Sequence, residues 1–206
     1  MRMRQYWEER YKAYGRFTVG RMGMTPNSFL HSTQKAHTII RREINPLIKG
    51  RRVLDFGCGY GRMAPVLSEA AAFVYGVDIS EQAIDQARLF FSAAIYKLYN
   101  GAEIPFGDGF FGAVFCWTVL QHIPGEEISG IAQEIDRVLS QGGILALFEN
   151  TTPALGNKPH VWSRSPADYA ALFPGFLALT IKPIPGIDGS TESHSLMIFQ
   201  KRGSQC

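Results

Sequence analysis

The stretch VLDFGCGYG, residues 53–61, joins an apolar strand to a glycine turn, and a helix opens just after it. Gly57, Gly59 and Gly61 allow positive φ and let backbone N–H groups approach a ligand. A second apolar run, FVYGVD, ends at Asp78, 21 residues after Gly57. A carboxylate at that strand tip suits the two hydroxyls of a ribose. The pair predicts a nucleoside site at the carboxyl ends of parallel strands. A dinucleotide turn needs G-x-G-x-x-G, whereas here the third glycine comes one residue early and Arg62 occupies the required place. Asp55, two residues before the turn, opposes a pyrophosphate and welcomes an ammonium.

At 206 residues, with 46% hydrophobic and 19% charged positions, the chain suits one domain with a sizeable core. Its apolar runs are far shorter than the ~20 residues of a membrane span. The opening MRMRQYWEERYK has no apolar segment of the signal-peptide kind, so a cytoplasmic location is expected. Cys58, Cys116 and Cys206 show neither paired spacing nor a zinc pattern, and the first two are expected as buried thiols. Residues 1–52 hold 12 of the 21 basic side chains against three acidic ones. Such a segment serves either as solvated helix surface or as an attractor for an anionic acceptor.

Trp7, Tyr11 and Tyr14 fall at i, i+4 and i+7, on one face of a helix over residues 3–14. A second helix is predicted over 28–44, with Leu30, Thr33, His37, Ile40 and Ile44 on one side and Pro46 ending it. Alternation then predicts strand 51–57, helix 61–71, strand 73–78, helix 80–92 capped by Ser80, and strands 95–99 and 112–118. Ile128, Ile131, Ile135 and Val138 mark a helix that stops at Gly142-Gly143, before a fifth strand over 144–148. Ser165-Pro166 opens a short helix. Strands 176–183 and 194–201 pair antiparallel. The domain layout is a helical cap or lid over 1–48 and a nucleoside-binding domain over 49–206.

The chain resembles the class I S-adenosylmethionine-dependent methyltransferases. Asp55-Phe56-Gly57-Cys58-Gly59-Tyr60-Gly61 matches the family's first motif, D/E-x-G-x-G-x-G, in full. VYGVDIS (74–80), WTVLQHIP (117–124) and RVLSQGGILALFEN (137–150) are similar to later motifs, in the same order. The resemblance implies an α/β fold: a doubly wound, seven-stranded, mostly parallel Rossmann-like sheet with its last strand antiparallel beside the fifth. It implies S-adenosylmethionine as cofactor, leaving as S-adenosylhomocysteine, and no metal. Asp78 and Ile79 are expected at the ribose, and Asp55, Gly57, Cys58, Gly59 and Gly61 around the methionine portion. Asn100, Gly101 and Ala102 are expected at the adenine, although many relatives have Gly-Asp-Ala there, and Trp117 at the end of the fourth strand. The D/N-P-P-Y/F tetrad of base-amine methylation is missing.

His122 has two readings, a general base or a loop-holding histidine that hydrogen-bonds backbone. His160 is either a base in the acceptor-side loop or a surface residue. Glu149 and Asn150 end the fifth strand and are expected to face the acceptor. Trp7, Tyr11 and Tyr14 are expected to close over the cleft, with Arg16, Arg21 or Arg164 available to an anion. His31, His37 and His194 read as structural.

Transfer from a sulfonium is an in-line displacement. Alignment can supply ~7–11 kcal/mol of its barrier, against roughly 3–5 kcal/mol for a positioned base. The expected function is methyl transfer to a small, possibly anionic molecule by a monomer or homodimer, without membrane or nucleic acid. The competing readings are a non-catalytic S-adenosylmethionine-binding module, an RNA or protein methyltransferase, and a nicotinamide-dependent dehydrogenase.

Overall fold

Seven strands make one sheet: β1 (Arg52–Phe56), β2 (Phe73–Asp78), β3 (Ile95–Leu98), β4 (Phe111–Trp117), β5 (Leu139–Asn150), β6 (Phe176–Pro185) and β7 (Ser193–Lys201). The computed structural model describes residues 2–20, 23–152, 160–185 and 193–203. The strand order is β3-β2-β1-β4-β5-β7-β6, with β7 antiparallel to both of its neighbours. This is the expected sheet, and the reversal at β1/β4 creates a crevice at the carboxyl ends of the strands.

Strand residues alternate between two cores because both faces are covered. Ala113, Phe115 and Trp117 of β4 and Ile144, Ala146 and Phe148 of β5 enter one core, while Val114, Cys116, Leu145 and Leu147 enter the other. The first core is closed by α2 (Pro26–Ile39), α3 (Asn45–Ile48), α4 (Ala64–Ser68) and α5 (Glu81–Phe90). The second is closed by α6 (Ile128–Val138) and α7 (Pro166–Ala171). Ser80 caps α5 through the Ala83 N–H, and Ser165 and Asp168 form a capping box on α7. An N-terminal helix, α1 (Arg2–Tyr14), and a 3-10 turn, Gly15–Val19, complete the described N-terminus.

Three sequence readings need correction. Pro46 does not end its helix. A π turn over Ile40–Ile44, closed by the Asn45 N–H on the Ile40 carbonyl, inserts one residue, so Pro46 falls in the first turn of α3, where its missing N–H costs nothing. The buried stripe is then Phe29, Ala36, Ile40, Ile44 and Ile48, while Leu30 is exposed. Residues 26–48 therefore pack on the sheet's own core, with Ser32 also at the crevice. The helix expected over 61–71 shrinks to α4, because residues 59–63 are turn. The helix α6 ends at Val138, and β5 starts at once, Leu139 pairing Phe111 before a register shift. Gly142 and Gly143 thus lie in the strand.

Ile44→Ala should cost about 2–5 kcal/mol, the range for a large-to-small core change. Leu30→Ala should stay within about 0.5 kcal/mol, as exposed changes do. Urea unfolding of both variants checks the register, and comparable losses would contradict it.

Candidate cofactor and acceptor site

The glycine turn takes the three positive φ values the sequence required: 71° at Gly57, 57° at Gly59 and 82° at Gly61. Its N–H groups do not cradle a ligand as expected. Gly57 and Cys58 both donate to the Val77 carbonyl, at 2.8 and 2.9 Å, and Gly61 donates to that of Cys58. Gly59 donates to Asp78 Oδ2 at 2.9 Å. The turn folds back on β2, and what it offers the crevice is close packing without side chains.

A cavity of about 420 Å³ opens at the sheet reversal. Asp55, Gly57, Cys58, Asp78, Ile79, Gly101 and Trp117 line it, together with Trp7, Tyr11 and His122. Gly59, Gly61, Asn100 and Ala102 do not, and Asn100 Oδ1 is taken by the Ala102 and Glu103 N–H groups, both at 2.8 Å. Arg21 lies outside the described residues, as do Cys206 and the tip of the β6–β7 loop.

Asp55 is buried, and its Oδ2 has no partner among the described residues. Burial pushes its carboxyl up to about 7, with the Arg62 guanidinium pulling the other way. Asp78 is raised to about 6 by burial, opposed by the Ser80 and Gly59 N–H groups. Arg62 also lines the cavity, and its guanidinium makes no hydrogen bond or ion pair with a described residue. The sequence reading noted Arg62 only as a departure from the dinucleotide pattern. Its signal was electrostatic: a cation just ahead of a helix N-terminus is disfavoured by the dipole unless an anion answers it.

The loop after β4 is held from outside the cavity. Glu149 is fully buried and does not face an acceptor. Its Oε1 accepts the Val119 and Leu120 N–H groups at 3.0 Å and its Oε2 the Gln121 N–H at 3.1 Å, while Cys116 Sγ donates to Oε1. Thr118, at φ 56°, turns the chain so that these donors converge. Arg164 binds no ligand-facing group either, since it donates to the Leu120 and Ile123 carbonyls at 2.9 and 2.7 Å. Asn150 donates its N–H to Gln121 Oε1 at 2.8 Å.

That bond fixes the Gln121 amide, whose Nε2 then donates to His122 Nε2 at 3.2 Å. His122 Nδ1 must carry the proton, because it lies 2.7 Å from the His160 carbonyl. Burial lowers the imidazole to about 4, so His122 is neutral with its lone pair engaged. These contacts are the hydrogen bonding that the loop-holding reading describes, and the lone pair a general base would use is taken by Gln121. The His160 ring stacks on Tyr6 at 3.8 Å instead of entering the cavity. His37 is structural as expected, its Nε2 on the Arg62 carbonyl at 2.9 Å.

The helix α1 roofs the crevice. Tyr11 is buried against Gly59, with its hydroxyl unpartnered, and Trp7 meets His122 edge-on at 5.1 Å. Tyr14, expected on the same face, is 48% exposed, because the helix ends there and Gly15 turns the chain away. Arg16 is exposed as well. Glu8 accepts the Glu81 N–H, tying α1 to the start of α5.

Residues 54–147 match the family model for a methyltransferase domain. An uncharacterised methyltransferase of Synechocystis sp. is 32% identical over 105 residues, covering 51% of this chain and 50% of that protein. The ubiquinone biosynthesis O-methyltransferase of Thiobacillus denitrificans is 31% identical over 116 residues, covering 49% of each. Residues 54–147, which hold the glycine turn, Asp78 and β4, are thus similar to the domain of class I S-adenosylmethionine-dependent methyltransferases. The fold agrees: magnesium protoporphyrin IX methyltransferase of Synechocystis PCC 6803 with bound S-adenosylhomocysteine superimposes with a TM-score of 0.73 at 19% identity, covering 97% of this chain and 98% of that one. The chain spans about half the length of the curated relatives it matches. The family's cofactor, S-adenosylmethionine, carries an α-amino acid end. Asp55 Oδ2, without a partner among the described residues, and the Arg62 guanidinium, which meets only the Phe29 ring there, are complementary to such a zwitterion, and each Asp78 oxygen keeps a lone pair for a hydroxyl.

Two measurements check the loop. Glu149→Gln sets an amide N–H against a backbone donor and should cost about 1–3 kcal/mol, the penalty for an unsatisfied buried group. The Val119, Leu120 and Gln121 amides should then lose hydrogen-exchange protection, and unchanged protection would refute the anchor. His122, with its pKa lowered to about 4, should show constant imidazole chemical shifts from about pH 5.5 to 8, where an exposed histidine would titrate. A midpoint near 6.5 would restore it as a candidate base.

Proposed function

We propose that the chain transfers a methyl group from S-adenosylmethionine to a small-molecule acceptor. The observation that carries this is one roofed cavity lined both by Asp55, Arg62 and Asp78, of which Asp55 Oδ2 has no partner among the described residues, and by the apolar Met3, Trp7, Met24, Trp117 and Val161. A cavity of about 420 Å³ under the chain's own α1 suits a small ligand better than a macromolecular one. The match to an enzyme named for ubiquinone biosynthesis supports a small acceptor in the same way.

Asp55 would hold the cofactor's ammonium, Arg62 its carboxylate and Asp78 its ribose hydroxyls. When bound, the cofactor supplies a methyl group on a sulfonium, a leaving group that needs no protonation. The chain's contribution is alignment and exclusion of water. Trp7 and Tyr11 close the crevice from above, and Trp117, stacked on Phe148 at 3.9 Å, makes a rigid floor. His122 takes no proton, since Gln121 occupies its lone pair. It sets the loop whose Val119 side chain packs on Gly57.

S-adenosylhomocysteine should bind wild-type protein, and Asp78→Ala should weaken binding about ten- to a hundredfold, the equivalent of 1.5–3 kcal/mol. At pH 6.5, Asp55 is partly protonated before binding and ionised once it faces an ammonium, so binding should release protons. Calorimetry in two buffers of different ionisation enthalpy reads that release. It should shrink in Asp55→Asn, and either no binding or wild-type release from the variant would overturn the assignment.

A further inference from the structure

Arg10 is the one cavity-lining cation that the cofactor reading leaves unused. Its side chain runs from α1 into the cavity wall, with its guanidinium carbon 5.4 Å from the Trp7 ring centre and 5.7 Å from that of Tyr6. Two contacts hold the plane in place. Nη1 donates to the Tyr6 hydroxyl at 3.0 Å and Nη2 to the Thr18 carbonyl at 3.1 Å, and the Thr18 hydroxyl donates back to the Arg10 carbonyl. Nε is buried with no partner among the described residues, and no carboxylate forms an ion pair with Arg10 there. A half-buried guanidinium held only by neutral acceptors is an arrangement that a bound anion would improve.

The charge inventory of the cavity says the same. Its lining acids are Asp55, Asp78 and Glu127. Asp55 is matched by the cofactor's ammonium, Asp78 is committed to the Gly59 and Ser80 N–H groups, and Glu127 is exposed to solvent. Arg62 is matched by the cofactor's carboxylate. None of the three acids forms an ion pair with Arg10 among the described residues. Trp7 and the neutral His122 stand near Arg10, and Met3, Met24 and Val161 are apolar members of the same lining.

We propose that Arg10 binds the carboxylate of the methyl acceptor, which is a monoanionic small molecule with an apolar or aromatic body. One guanidinium matches one charge, and among the described lining residues the only other arginine or lysine is Arg62. The carboxylate would take the Nη N–H groups that Tyr6 and Thr18 leave over, so the acceptor is gripped by the same helix that roofs the cavity. The inference rests on the cofactor reading above for the assignment of Arg62, while the Arg10 contacts are independent of it.

The test is equilibrium binding of acids paired with their own amides: benzoate, phenylacetate, indole-3-acetate and decanoate, with phenyl phosphate as a further probe. Each is titrated by calorimetry with and without saturating S-adenosylhomocysteine, whose own affinity is measured separately. At least one acid should outbind its amide about ten- to a hundredfold, the range of a charge-assisted hydrogen bond. In Arg10→Met that ratio should fall to about one while the amide binds as before, and Arg10→Lys should keep a ratio above about three. The ratio is internal to each variant, so a loosened α1 that weakens acid and amide alike leaves it unchanged, and an unchanged ratio in Arg10→Met refutes the proposal. So does a panel in which no acid outbinds its amide, or in which phenyl phosphate outbinds every acid. If S-adenosylhomocysteine fails to bind while the acid preference persists and depends on Arg10, the cofactor reading falls and the anion site stands.

Discussion

Three glycines of one turn have no room for a β-carbon, each because a different element occupies the space. Val119, on the loop after β4, fills it at Gly57; Tyr11 of α1 and Val19 fill it at Gly59; Tyr96 of β3 fills it at Gly61. The turn is therefore a junction where the sheet, the roof and the acceptor-side loop all come into contact. Any side chain there would have to move at least one of them, besides the strain of its positive φ. Asp78 fixes the junction to β2 by holding the Gly59 N–H with one oxygen and the start of α5 with the other.

That arrangement explains which parts of the molecule were readable from sequence. The sheet was legible because its strands are buried on both faces and its turn motif has a rigid chemical requirement. The placement of Asp55 and Asp78 on the cavity was legible because both stand at the carboxyl ends of adjacent parallel strands. Glu149, Asn150 and Arg164 were misassigned for one reason: a polar residue near a site can serve the ligand or the loop that shapes it, and only distances tell the two apart. Here the orphan N–H groups of a strained loop outcompete the acceptor for Glu149. Tyr14 failed for a different reason. Helical spacing gives a face but not a length, and α1 ends at that residue. Arg10 and Arg62 were passed over because a cation reads by default as solvated surface, and their burial depends on long-range packing.

The three buried carboxylates share a physical consequence. Burial raises Asp55 and Glu149 to about 7 and Asp78 to about 6. The stability that accompanies protonation of such groups is fully present below their unfolded values and is lost as pH rises through 6 to 7. At neutral pH the ligand-free site therefore holds charge it does not favour. Glu149 is answered internally by three N–H groups. Asp55 is not, and its remaining demand can be met by a cation from outside. A site that is electrostatically unsatisfied at one defined atom selects for the ligand that satisfies it.

Roof and reaction chamber are coupled through the same residues. Glu8 ties α1 to the N–H groups of α5, whose start is also fixed by Asp78, and Trp7 rests on His122, whose ring is fixed by Gln121 and ultimately by the end of β5. The helix thus contacts both the glycine turn, through Tyr11, and the loop after β4, through Trp7, without belonging to the sheet. Any rigid-body displacement of α1 would move Tyr11 and Trp7 together, so neither contact can be lost alone.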